Sequence, residues 1–180
     1  FSVQDDFMYQ YALPILNERA GTGNPFFSVL LSISNHPPYV IPPYFHPHSD
    51  VLEEQIVEYA DWSIRQFMQA AEKQPWFDNT IFVFLGDHGK MVGTPECEMP
   101  QSYNHIPLMI YGKDIKPGVY DGFGGQVDVS PTLLGLLNIS YLQNNFGVNL
   151  LEEERPCMFF TADNLIGARD SVNMLSLIHI

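Results

Sequence analysis

Four residues carry the chemistry that this chain can be expected to do: Asp87 and His88, side by side in Gly86-Asp87-His88-Gly89, together with His36 and His105. A carboxylate offers a hard oxygen and an imidazole a borderline nitrogen, the donor pair that suits zinc, manganese and similar divalent ions. Glycines on either side allow turns and a close approach of backbone that bulkier residues obstruct. Two adjacent donors are half of a metal site, since a tetrahedral or octahedral shell needs more. The competing reading is a turn-forming Gly-Asp followed by a surface histidine.

The elements that position these residues can be read around them. Thr80-Ile81-Phe82-Val83-Phe84-Leu85 is rich in β-branched and aromatic side chains and predicts a buried parallel strand that opens into the Asp-His loop. Pro25 to Ser34 predicts a second such strand, which empties into Asn35-His36-Pro37-Pro38 and so places His36 at a strand end as well. Between them, Val51 to Gln74 predicts a long amphipathic helix, with Leu52, Ile56, Tyr59, Ile64, Phe67 and Ala71 on one stripe. Strand, helix and strand then form a right-handed crossover, and both strand ends share one edge of the sheet. His105 is the first residue of a short apolar strand, His105 to Gly112, and lies either beside the site or capping backbone groups. His46 and His48 lie deep in a proline-rich loop and are read as structural.

The remaining segments support that frame. Ser2 is a plausible N-cap for a first helix with Val3, Phe7, Tyr11 and Ile15 as its buried stripe, which Pro14 kinks or ends. Asp61 pairs with Arg65 one helical turn on. Ser130 and Pro131 predict the N-cap and first residue of a helix through Leu137, with Asp128 as a cap or turn residue. Short strands follow at 158–161, 165–168 and 172–175. The 180 residues suit a single domain, a sheet-and-helix core over 1–138 with short strands over 139–180.

Composition narrows the function. With 21 acidic against 8 basic side chains, a net charge of -13, the chain has no cluster of Lys and Arg to replace phosphate counterions, so nucleic acid is not its partner. Cys97 and Cys157 form no C-x-x-C pair, which leaves zinc-finger and redox motifs without support. No run of 18 apolar residues, the length that spans a membrane, occurs in the chain. Phe1 is not an initiator methionine, and the chain reads as a piece of something longer.

In order along the chain, Phe26 to Tyr39 with its Ser-Asn-His-Pro-Pro-Tyr ending, Tyr59-Ala60-Asp61, Asp78 to Ile81 leading to Gly-Asp-His-Gly, Ile106 to Gly112, and Gln126 to Leu137 resemble the sulfatase branch of the alkaline phosphatase superfamily. More narrowly the chain is similar to the carboxyl-terminal half of phosphoglycerol transferases of the lipoteichoic acid synthase type. The resemblance implies an α/β, alkaline phosphatase-like sandwich with a mostly parallel central sheet flanked by helices, of which this is the carboxyl-terminal portion. It implies that Asp87 and His88 are ligands of a divalent metal ion, manganese or zinc, with magnesium or calcium as further options. His36 matches a histidine that binds the substrate phosphoryl group or donates a proton, or that holds a second metal in the related phosphoethanolamine transferases, and His105 a neighbouring polar position. Related phosphoethanolamine transferases carry a further histidine soon after the Asp-His pair, where this chain has Pro100.

The resemblance further implies a phospholipid-derived or ester substrate and an extracytoplasmic, membrane-anchored whole protein. It also implies a partner in the missing amino-terminal half, which supplies a Thr or formylglycine nucleophile. Neither Cys97-Glu98-Met99 nor Cys157-Met158-Phe159 fits the sulfatase pattern Cys-x-Pro-x-Arg. A sulfatase or phosphodiesterase built on the same half-site and a non-catalytic α/β binding domain are the alternative readings.

Overall fold

The long helix is where expectation and structure agree most closely. In the computed structural model, which describes residues 3–91, 94, 101–162 and 165–178, α2 spans Leu52–Ala71 and buries Ile56, Tyr59, Ser63, Phe67 and Ala71. These positions recur every three or four residues, the spacing of one helical face. Around this face Tyr9 stacks on Phe67 at 5.1 Å, and Phe45 packs against Tyr59 at 5.4 Å and Trp62 at 5.5 Å. Phe77 and Phe82 meet at 5.2 Å as the chain leaves a 3-10 turn at Phe77–Asn79. Asp61 and Arg65 pair at 3.1 Å on the solvated side, as their spacing predicts.

Helix α1, Asp5–Gly21, packs against α2 through an unexpected face. Its buried residues are Asp5, Asp6, Ala12 and Leu16, while Val3, Phe7, Tyr11 and Ile15 are exposed. The carboxylates tolerate burial because each is answered by donors. Asp5 accepts from the backbone N–H of Ile33 and Ser34, both at 3.0 Å, and Asp6 accepts from the hydroxyls of Tyr59 at 2.5 Å and Tyr44 at 2.8 Å. Gln4, not Ser2, occupies the N-cap position, and Ser2 lies outside the described residues. Nor does Pro14 end the helix, which runs seven residues further to Gly21. Proline's fixed φ is helical, so the loss is confined to one backbone bond and one clash, which the packing of Ala12 and Leu16 on either side offsets.

Residues 25–34 contradict the expected second buried strand. The segment is extended, but no described strand pairs with it, and Phe27, Val29 and Leu31 are 87%, 72% and 77% exposed. An apolar run becomes a strand only when a neighbouring backbone takes up its N–H and C=O groups, and none is supplied here among the described residues. The strand-helix-strand crossover is accordingly not formed among them.

The chain divides into two compact units: 1–82 with 112–114, and 83–111 with 115–180. The first contains α1, α2 and the aromatic cluster. In the second, β1, Phe82–Leu85, which begins one residue before the unit boundary, and β2, Leu108–Tyr111, make a two-stranded sheet. The one-turn helix α3, Gln101–Asn104, lies between these strands in the sequence. A three-stranded antiparallel meander follows the order β3-β4-β5, with β3 at Met158–Ala162, β4 at Leu165–Arg169 and β5 at Met174–Ile178. Its register sets Phe159 opposite Ala168, and Ala168 opposite Leu175.

Helix α4, Gln126–Leu136, starts four residues before the expected N-cap at Ser130. Gly125 is the cap instead, because Asp128 reaches back and accepts its N–H at 2.9 Å. Asp128 is fully buried and does more than cap. It also accepts from Val148 N at 2.8 Å and takes both arms of Arg155, whose Nε lies 2.9 Å from Oδ2 and whose terminal nitrogen bonds Oδ1. That fork ties the tail to the helix and holds the Arg155 guanidinium above its usual pKa, chiefly through the hydrogen bonds to Asp128. Among the described residues no helix is long and apolar enough to cross a membrane.

Candidate metal half-site

The loop at 86–89 is shaped by backbone requirements. Gly86 N donates to Pro107 O at 3.3 Å and Gly89 N to Tyr103 O at 2.7 Å, so both glycines are tied to the segment that leads into β2. A Cβ on Gly89 would fall 2.0 Å from the Ser102 carbonyl oxygen, which restricts that position to glycine. Between the two ties, Asp87 and His88 project outward with side chains 79% and 55% exposed.

Their donor atoms are arranged in a way that suits a shared cation. His88 Nδ1 lies 2.7 Å from the Gly89 carbonyl, an acceptor only, so Nδ1 carries the proton and Nε2 of the neutral ring keeps its lone pair. A backbone carbonyl on the far ring nitrogen is the arrangement that orients metal-binding imidazoles. Asp87 Oδ1 accepts the His88 N–H at 2.9 Å, and Oδ2 lies 3.8 Å from His88 Nε2. Ligand bonds of about 2.1 Å each span that separation, so both atoms fit one zinc-sized ion. The ring of His88 stacks on Tyr103 at 5.3 Å and 22°. Among the described residues no group of three or more His, Cys, Asp and Glu is placed to hold a metal ion.

Other expected site residues are placed separately. His105 is exposed on the connection between α3 and β2, in the same unit as Asp87 and His88 but outside the strand it was expected to begin. Beside it, the buried Nδ2 of Asn104 has no hydrogen-bond partner among the described residues. His36 belongs to the other unit, exposed at a turn closed by His36 N to Ile33 O at 3.1 Å. Its Nδ1 meets the Pro37 carbonyl at 2.8 Å, which again leaves Nε2 as the outward nitrogen. His48 is engaged by Glu58 through its backbone N–H at 2.7 Å and its ring at 3.1 Å, in keeping with a structural role. Those bonds, the backbone one foremost, hold the Glu58 carboxyl below its ordinary range. Cys97 and Pro100 lie outside the described residues. A small cavity of about 60 Å³ between α1 and α2, lined by Asp6, Tyr9, Leu13, Ser63 and Phe67, touches none of the candidate ligands.

The family model described as Sulfatase matches residues 2–139. The lipoteichoic acid synthase-like protein YvgJ of Bacillus subtilis is 28% identical over 73% of this chain and 25% of its own length. A choline-sulfatase of Rhizobium meliloti is 29% identical over 59% of this chain and 22% of its own length. The crystal structure of a protein in the alkaline phosphatase superfamily from Vibrio parahaemolyticus superposes with a TM-score of 0.88 at 27% identity, covering 99% of this chain and 45% of that one. The chain thus spans about a quarter of the length of the curated relatives it matches.

Proposed function

This chain belongs to the sulfatase family and has the alkaline phosphatase-like α/β fold, and from that premise we propose that it is the carboxyl-terminal part of a metal-dependent transferase of phosphoglycerol or a similar phospho-group. The observation that carries the reading is the Asp87–His88 pair, whose Oδ2 and Nε2 lie 3.8 Å apart in a chain similar to a lipoteichoic acid synthase-like protein. When bound, a divalent ion supplies Lewis-acid stabilisation of charge on the transferring phosphoryl oxygens and activates a hydroxyl nucleophile. Asp87 Oδ2 and His88 Nε2 hold it, with manganese or zinc the best match to an oxygen and a nitrogen donor and magnesium or calcium further options.

His36 binds a phosphoryl oxygen. Nδ1 is committed to Pro37 O, which leaves the outward Nε2 for that contact or for donating a proton to a leaving group. His105 is a neighbouring polar contact. The remaining ligands and the nucleophile come from the amino-terminal half of the same protein. Substrate is a phospholipid-derived donor, and the whole protein works outside the cytoplasm, anchored to the membrane.

Similarity to a choline-sulfatase favours a second reading, hydrolysis of a sulfate or phosphate ester at the same half-site. The full reading frame that contains residues 1–180 separates the two. Its product is expected to release diacylglycerol from phosphatidylglycerol, with loss of activity in Asp87→Asn. Hydrolysis of choline sulfate without phosphoglycerol transfer would establish the second reading instead. The isolated 180 residues are expected to turn over neither p-nitrophenyl phosphate nor p-nitrophenyl sulfate; turnover by them that Asp87→Asn abolishes would refute this division of the site.

A further inference from the structure

Gln126 opens α4 and is exposed, yet its side chain is committed. Nε2 lies 2.8 Å from the carbonyl oxygen of Asp87 and 3.2 Å from that of Gly86. A carboxamide nitrogen has two N–H groups, so one side chain serves both acceptors. Those carbonyls belong to the two peptide units that flank the Asp87 α-carbon. Restraining both planes restrains the backbone dihedrals at Asp87, and with them the direction in which its Cα–Cβ bond leaves the chain.

Little else sets that direction. The Asp87 side chain is exposed, and its bond to His88 N is local to the loop. Tyr103 steadies the His88 ring by stacking, and the backbone ties at Gly86 N and Gly89 N hold the ends of the loop rather than its middle. We infer that Gln126 is a positioning residue for the Asp87–His88 donor pair, holding Asp87 Oδ2 and His88 Nε2 at a spacing that one cation can bridge. This inference rests on the reading of that pair as a metal half-site. Gln126 contributes little to the fold itself, because the cap of α4 is made by Asp128 on Gly125 and alanine is a good helix former.

Manganese titrated into the ¹⁵N-labelled 180-residue chain tests the inference, with line broadening at Gly86, His88 and Gly89 as the readout. Gln126→Ala removes both bonds, and Gln126→Glu keeps the size but cannot donate. In each variant the midpoint of broadening is expected to rise about tenfold, the usual effect of losing a group that orients a ligand. The melting temperature should stay within about 2 °C of the parent, since no buried contact is lost. Equal midpoints in the parent and both variants would overturn the inference and leave the half-site reading standing. Absence of broadening at this loop in the parent would overturn both.

Discussion

Asp5 and Ser34 hold each other reciprocally: Asp5 N donates to Ser34 Oγ at 3.0 Å, and Ser34 N donates to Asp5 Oδ1 at 3.0 Å. With Ile33 N also bonded to Asp5 Oδ1, a buried carboxylate on α1 anchors the last residues before the turn that carries His36. Asp5→Ala is expected to cost about 2 kcal/mol of stability, because a partly buried donor pair loses its acceptor. Asp5→Asn keeps one acceptor oxygen and should cost less. Denaturant unfolding measures both, and amide exchange at Ile33 and Ser34 should quicken in Asp5→Ala; unchanged exchange there would contradict the anchor.

The fork between Arg155 and Asp128 is the counterpart in the second unit. Truncating Arg155 leaves a fully buried carboxylate with only the Gly125 and Val148 N–H groups, and Arg155→Ala is expected to destabilise by about 3 kcal/mol. Arg155→Lys keeps the charge but not the two-armed geometry and should fall between. A loss in Arg155→Ala no larger than that of an exposed ion pair, below about 1 kcal/mol, would show that the tail is held by other contacts.

Alkaline titration probes the α1–α2 contact. Burial against Phe67, with Asp5 nearby, pushes the Tyr9 phenol up to about 12. A phenol raised above its ordinary 10 adds stability that is complete below pH 10 and disappears as pH climbs through about 12. The Cζ resonance of Tyr9 should therefore titrate near the upper end of that window; a midpoint near 10 would mean that the ring is solvated.

How much of this can be read from the chain differs by element for physical reasons. Helix α2 is legible because its stripe is long and regular, and the Asp-His loop because a β-rich run ends in Gly-Asp-His-Gly. The expected stripe on α1 faces solvent because the residues that matter there are carboxylates whose donors, Ile33, Ser34, Tyr44 and Tyr59, are distant in sequence. Periodicity of apolar residues cannot report such pairing. Residues 25–34 look like a strand in composition, but a ladder depends on a second backbone that composition does not encode. At α4, Ser130 and Pro131 form a good start signal, yet Asp128 closes on Gly125 and the helix begins ahead of both. Gln126 is hard to single out because an exposed glutamine has no signature of its own; its place directly after Gly124-Gly125 at a helix start is the available clue.

The central claim, that Asp87 and His88 form one metal half-site, is tested most directly by the effect of manganese on the labelled chain and on its Asp87→Asn and His88→Ala variants. Broadening confined to the 86–90 loop and its neighbours near Tyr103 in the parent, and lost in both variants, is the expected result. Broadening that persists unchanged in both variants, or is centred elsewhere on this acidic surface, would contradict it.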